Sequence, residues 1–154
     1  KMFGNYEVIS DKKDTIKRLY DPKFDIQKTI ILENELVGFE TSATSSGSVK
    51  VVSYAPQRIE VETSSDGNQL LFISDNYFSG WVAYVNGAET PILRANYTFR
   101  AVPVPAGNQN VVFSYEPDSF KIGLSVSIIS LGGLILAVLF GTLVQGYVHK
   151  NKKK

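Results

Sequence analysis

The chain has 154 residues, 44% hydrophobic and 20% charged, with 16 Lys+Arg against 15 Asp+Glu, no Cys and one His. That length is one ordinary domain with a little left over, which excludes a large multidomain enzyme within this chain. The lack of Cys excludes a disulfide framework, and a lone His149 leaves zinc sites of the usual kind and Ser/His or Cys/His nucleophile systems without their parts.

The near-neutral total hides a division. Residues 1–121 carry 12 Lys+Arg and all 15 Asp+Glu, a net of −3, and the remaining four lysines are Lys150, Lys152, Lys153 and Lys154. Between Ile122 and Val148 run 27 residues without an Asp, Glu, Lys or Arg. About 20 apolar residues cross a hydrocarbon layer, so this stretch predicts a transmembrane helix.

In chain order, residues 1–39 predict an αβ lead-in. Tyr6–Ile9 and Thr29–Leu32 are strands, and Asp11–Tyr20 is a short helix capped by Ser10 or Asp11, with Ile16, Leu19 and Tyr20 on one face. Residues 40–48 are small, polar and aperiodic and predict a loop or linker.

Residues 49–119 then alternate with period two. Strands are predicted at Val49–Val51, Arg58–Glu62, Leu70–Ile73, Trp81–Val85, Tyr97–Val104 and Val111–Tyr115. Asp66-Gly67 and Asn86-Gly87 are hairpin signals, since a type I′ turn needs positive φ at both central residues; Pro105 to Asn108 marks another tight connection. The fold class is therefore mainly β: an antiparallel β-sandwich with a short N-terminal αβ lead-in and one C-terminal transmembrane helix.

That helix is predicted over residues 120–148, with Phe120 and Tyr147 suited to the interfacial belts, followed by a basic cytoplasmic tail over 149–154. Positive charge stays inside, so the β domain lies outside the membrane and the C-terminus in the cytoplasm. The start shows no signal-peptide apolar run, which predicts a C-terminal piece of a longer membrane protein; a free-standing tail-anchored protein is the alternative. Steps of four along the helix give Ser125, Ile129, Gly133, Ala137, Gly141 and Gln145, a row of small or polar side chains through which it can pack on other helices of the parent or on a second copy. Anionic lipid at the inner leaflet accounts for the lysines without nucleic acid.

Candidate chemistry outside the membrane is sparse. Glu60 and Glu62 share one face of a strand beside Arg58 and read as a solvated face, and Asp66-Gly67-Asn68 reads as a turn, not a calcium loop. Asn96-Tyr97-Thr98 fits the N-glycosylation pattern. The aromatic group Tyr77, Phe78, Trp81 and Tyr84 is the one feature suited to a ligand, because sugar rings present CH faces to aromatic planes; the strand pattern nonetheless favours Trp81 as core, and Tyr77 and Phe78 as packing against the lead-in or the membrane surface. No catalytic residue, cofactor or metal site is expected.

The strings Leu71 to Gly87, with its Tyr-x-x-Gly-Trp strand start, and Val102 to Pro117, with Val-Pro-Ala-Gly and Tyr-x-Pro, followed by Phe120 and Gly123, resemble the C-terminal region of the YfhO-like bacterial membrane protein family. The resemblance implies a multi-spanning parent akin to GT-C-type glycosyltransferases, which take sugar from a polyprenyl-phosphate carrier to modify envelope polymers such as lipoteichoic acid. The acidic residues such enzymes need sit in early loops that no position here matches. This fragment is then an accessory part, with the lipid bilayer, the parent's other helices and an envelope glycopolymer as partners. A membrane-anchored carbohydrate-binding or assembly module without an enzymatic parent is the rival reading.

Overall fold

The computed structural model describes residues 1–151, with the side chains of Lys121, Ala137 and residues 142–151 outside the description. It comprises two compact units, Lys1–Glu116 and Pro117 onward.

The first unit is β-rich. Its strands are β1 (Met2–Phe3), β2 (Asn5–Val8), β3 (Thr29–Leu32), β4 (Gly47–Ala55), β5 (Arg58–Ser65), β6 (Gln69–Asn76), β7 (Trp81–Val85), β8 (Ala88–Thr90), β9 (Leu93–Ala95), β10 (Phe99–Val104) and β11 (Gly107–Tyr115). They form a six-stranded sheet in the order β1-β6-β10-β9-β3-β2 and a five-stranded sheet in the order β4-β5-β11-β7-β8. All pairings are antiparallel except β2 with β3, which are joined through helix α1 (Lys12–Leu19).

The lead-in does not stand apart: β2 and β3 complete the six-stranded sheet, and the first unit runs unbroken from Lys1 to Glu116. Residues 40–46 are loop, and β4 begins at Gly47. Asp11 caps α1, its carboxylate accepting from Lys13 N and Asp14 N. On the face shared by Ile16, Leu19 and Tyr20, Leu19 is partly buried and Ile16 and Tyr20 are exposed, while Thr15 turns inward, its hydroxyl donating to the Ile9 and Asp11 carbonyls.

Alternation places one apolar set between the sheets. Met2, Leu71, Val102 and Val104 from the first sheet meet Ile59, Val61, Ala83, Val85, Val111 and Phe113 from the second. The opposite face of the first sheet carries a second cluster, Phe3, Ile30, Leu32, Leu70, Ala95 and Ala101, against which Leu36 packs. The first sheet is thus covered on both sides, which is why β3 and β10 are almost uniformly buried instead of alternating.

Only one of the two expected hairpin turns is a hairpin. Asn86 (φ 49°) and Gly87 (φ 83°) join β7 to β8 as a type I′ turn requires. Asp66-Gly67 instead carries the chain from β5 in one sheet to β6 in the other, and Gly67 is needed for space: a Cβ there would lie 2.7 Å from Ser42 Oγ and 2.8 Å from Ser45 Cβ. Tyr97 falls not in a strand but in the β9–β10 loop, at φ 76°.

The second unit is helix α2 (Asp118–Asn151). Its stretch Asp118–Gly141 is long and apolar enough to cross a membrane, with mean hydropathy 2.4 over its most apolar window. Lys152, Lys153 and Lys154 of the basic tail lie outside the described residues, as do the side chains of Ala137, Gln145 and Tyr147.

Candidate functional site

One end of the space between the sheets is not closed by aliphatic side chains. The residues there are Asp75 and Arg100 from the first sheet and Tyr54, Trp81 and Tyr115 from the second. Trp81 pairs with Tyr115 across the β7–β11 ladder, on the face that carries Ala83, Val85, Val111 and Phe113 inward. Their rings lie 5.4 Å apart.

Two irregularities lie beside the polar groups. Val51 pairs with Val61 but Ser53 with Glu60, so Val52 is an extra residue; the slip turns Tyr54 to the inner face beside Ile59, where strict alternation would have sent it out. In β6, Ile73 pairs with Arg100 and Asn76 with Phe99, leaving Ser74 and Asp75 as a bulge.

Asp75 then links the sheets. Its carboxylate accepts from the Tyr54 hydroxyl at 2.8 and 3.0 Å and from Arg100 Nη2 at 3.0 Å. The hydrogen bond to Asp75 raises the Tyr54 phenol above its ordinary pKa, with desolvation adding to it. Arg100 is 1% exposed, and its guanidinium lies 4.2 Å from the Trp81 ring centre and 5.3 Å from that of Phe113. Such stacking over aromatic faces offsets part of the cost of desolvating the cation. Its Nε and Nη1 are buried without an acceptor.

In front of these groups is an open hollow of about 430 Å³ lined by Pro56, Asp75, Asn76, Phe78, Trp81, Arg100 and Tyr115. The 77–80 loop forms its rim. Gly80 at φ 95° allows the chain to turn into β7, and its carbonyl accepts from Glu116 N at 2.6 Å. Phe78 is 64% exposed and touches Tyr115, ring centres 6.4 Å apart.

Of the four aromatic residues singled out for a ligand, Phe78 and Trp81 meet at this mouth, while Tyr84 lies on the opposite face of β7. Trp81 is partly buried, packed against the core on one side and facing the hollow on the other. Tyr77 does not line it; its ring is covered by the Arg94 guanidinium at 4.7 Å. Asp75, Arg100, Tyr54 and Tyr115 were not anticipated. A signal existed for two of them: Arg100 is the one charge in the buried run Phe99–Val104, and Asp75 continues the inward series Leu71, Ile73.

A larger hollow, about 610 Å³, lies at the far end of the second sheet among Lys50, Glu62, Ser64, Asn86, Asn108 and Asn110. It lacks aromatic side chains, and its polar groups answer one another: Lys50 pairs with Glu62 at 3.1 Å, and Asn86 Oδ1 accepts from Asn110 N at 2.8 Å. Glu60 lies 3.6 Å from Arg58 and accepts from Asn110 Nδ2, so the two glutamates are the solvated face their spacing suggested. Asp66 is occupied by Ser46, and Asn96 is buried with its Oδ1 accepting from Ile31 N at 2.8 Å. Asn96 thus serves the fold, and its amide is turned away from modification. Among the described residues no three His, Cys, Asp or Glu gather as metal ligands.

Comparison with known proteins supplies context for this geometry. The family described as "Bacterial membrane protein YfhO" matches over residues 23–127. A relative from Bacillus subtilis (strain 168), "Uncharacterized protein YfhO", is 24% identical over 122 residues, covering 79% of this chain and 13% of the relative. The chain thus spans about an eighth of that relative's length. No solved structure matches.

Proposed function

Because the chain belongs to the YfhO family of bacterial membrane proteins, we propose that it is the C-terminal extracytoplasmic module and last transmembrane helix of a multi-spanning glycosyltransferase. The parent takes sugar from a polyprenyl-phosphate carrier and places it on a cell-envelope polymer such as lipoteichoic acid. What supports the membrane part of this reading is the reach of the family match, which runs from residue 23 through the rest of the β unit and into α2 as far as residue 127. That reach supports reading module and helix as one inherited piece.

Within that parent the module is accessory. It shapes or covers the outer-face active site, or holds the acceptor polymer near it, while α2 packs on the parent's other helices through Ser125, Gly133, Ala137 and Gly141. The lysines after α2 keep the C-terminus in the cytoplasm and the module outside.

The test is transfer of labelled sugar from a polyprenyl-phosphate donor to lipoteichoic acid in membranes with and without the whole parent protein. Transfer that disappears with the parent supports the reading. Unchanged transfer overturns it and leaves a binding or assembly module without an enzymatic parent.

A further inference from the structure

We propose that the mouth between the sheets is a carbohydrate subsite for a neutral pyranose ring. Phe78, Trp81 and Tyr115 form its platform, and Asp75 is its hydroxyl acceptor. The inference rests on the function proposed above for the module's place in the envelope, but not for the binding itself.

Three observations carry it. The first is the aromatic wall: three rings from one loop and two paired strands face one hollow, with the ring of Phe78 mostly in solvent. A side chain of that kind gains little by standing at a mouth unless something apolar lies on it, and the CH face of a sugar is such a surface.

The second is charge. Asp75 and Arg100 are the charged residues lining the hollow, and they neutralise each other through the 3.0 Å contact. A site for phosphate or a uronate needs surplus positive charge, which this one lacks. A neutral ring needs a fixed acceptor for its hydroxyls instead. Tyr54 from one sheet and Arg100 from the other hold the Asp75 carboxylate in place, with lone-pair capacity to spare.

The third is Arg100. A guanidinium buried at the end of the core with no protein acceptor for Nε and Nη1 is costly, and an apolar residue of similar volume would close the core more cheaply. Orienting Asp75 beneath an aromatic wall gives the cation a task that packing does not. The hollow is shallow and open, so it suits one or two rings of a longer glycan, bound weakly and repeatedly along a polymer.

Trp81 is the single tryptophan of the chain, so its emission reports on this site alone. The experiment is a fluorescence titration of the full chain in detergent micelles with the methyl glycosides of glucose, galactose and N-acetylglucosamine, beside glucuronate and inorganic phosphate. A saturable change is expected with at least one neutral glycoside and none with the two anions. Phe78→Ala should weaken it about 3- to 10-fold, as loss of one aromatic contact would, and Phe78→Tyr should restore it. Because Phe78 is largely exposed, this variant keeps the fold; Asp75→Asn is the second variant and should weaken binding as well.

The proposal is overturned if no neutral glycoside shifts the emission up to about 100 mM, well past a millimolar dissociation constant. It is equally overturned if Phe78→Ala titrates like the unmodified chain, or if the anions bind as well as the neutral sugars. Failure here with sugar transfer by the parent intact removes the subsite alone; loss of the transfer reading with binding intact removes the enzymatic parent alone.

Discussion

Arg100 takes a full positive charge to a position 1% exposed, between Trp81, Phe113 and the carboxylate of Asp75. Removing one partner of a buried pair strands the other, and the two ends of this pair differ. Asp75 is one-third exposed and still bonded to Tyr54, whereas Arg100 has no second anion. Asp75→Ala should therefore cost about 3 kcal/mol and Arg100→Met less, read as urea midpoints of the full chain in detergent; the reverse order would show that packing, not charge, dominates. A second residue-scale effect depends on pH. Arg18 donates to Glu7 at 2.7 and 2.8 Å, and these bonds hold the Glu7 carboxyl below its ordinary value of 4.5. Because the folded value is the lower one, the stabilisation is whole above pH 4.5 and is lost as pH falls through the folded value. Partly exposed pairs of this kind contribute little, so Glu7→Gln should slightly flatten the acid limb of stability and leave stability at pH 9 slightly lower.

At the scale of elements, two glycines illustrate different constraints. Gly87 sits at φ 83° with open space around it, so Gly87→Ala acts through backbone strain and should cost about 1 to 2 kcal/mol. Gly67 has no such φ but meets the 42–45 loop, which is tied down by Ser42 N on the Asn68 carbonyl at 2.8 Å and Ser46 N on Asp66 at 2.7 Å. Gly67→Ala should destabilise by pushing that loop away, and Ser42→Gly should relieve part of the cost; additive effects in a double-mutant cycle would refute the steric account. The Asn86-Gly87 turn was legible because a local dihedral requirement decides it. Asp66-Gly67 was misleading because the same dipeptide also suits a crossing between sheets, and which sheet receives β6 is settled by long-range pairing with β1 and β10. In α2 a Cβ added at Gly133 or Gly141 meets nothing within 4 Å in this chain, so leucine there is harmless to the helix itself. Loss of assembly or yield of the parent on Gly133→Leu with Gly141→Leu would assign the small-residue face to neighbouring helices.

For the whole molecule the testable quantity is topology. This chain has no Cys, so in a parent protein whose other cysteines, if any, are replaced, single cysteines placed in it report cleanly. Val37→Cys, at an 89% exposed position, should react with an impermeant maleimide on intact cells, and Lys154→Cys only after permeabilisation; the opposite pattern would place the module in the cytoplasm. What composition and local pattern determined by themselves was the class: an uncharged run long enough to cross a bilayer, and short alternating strands that must pair into sheets, both follow from burial and hydrogen-bonding needs that each segment carries within it. The tertiary structure decided the rest. It drew the lead-in strands into the first sheet, and through the Val52 bulge it turned Tyr54 onto Asp75 at the mouth where Arg100, Trp81 and Tyr115 meet. Alternation within each strand turns Asp75, Arg100, Trp81 and Tyr115 inward, but which strands lie side by side, and the slip that adds Tyr54, depend on what the partner strand offers and are set only by long-range pairing.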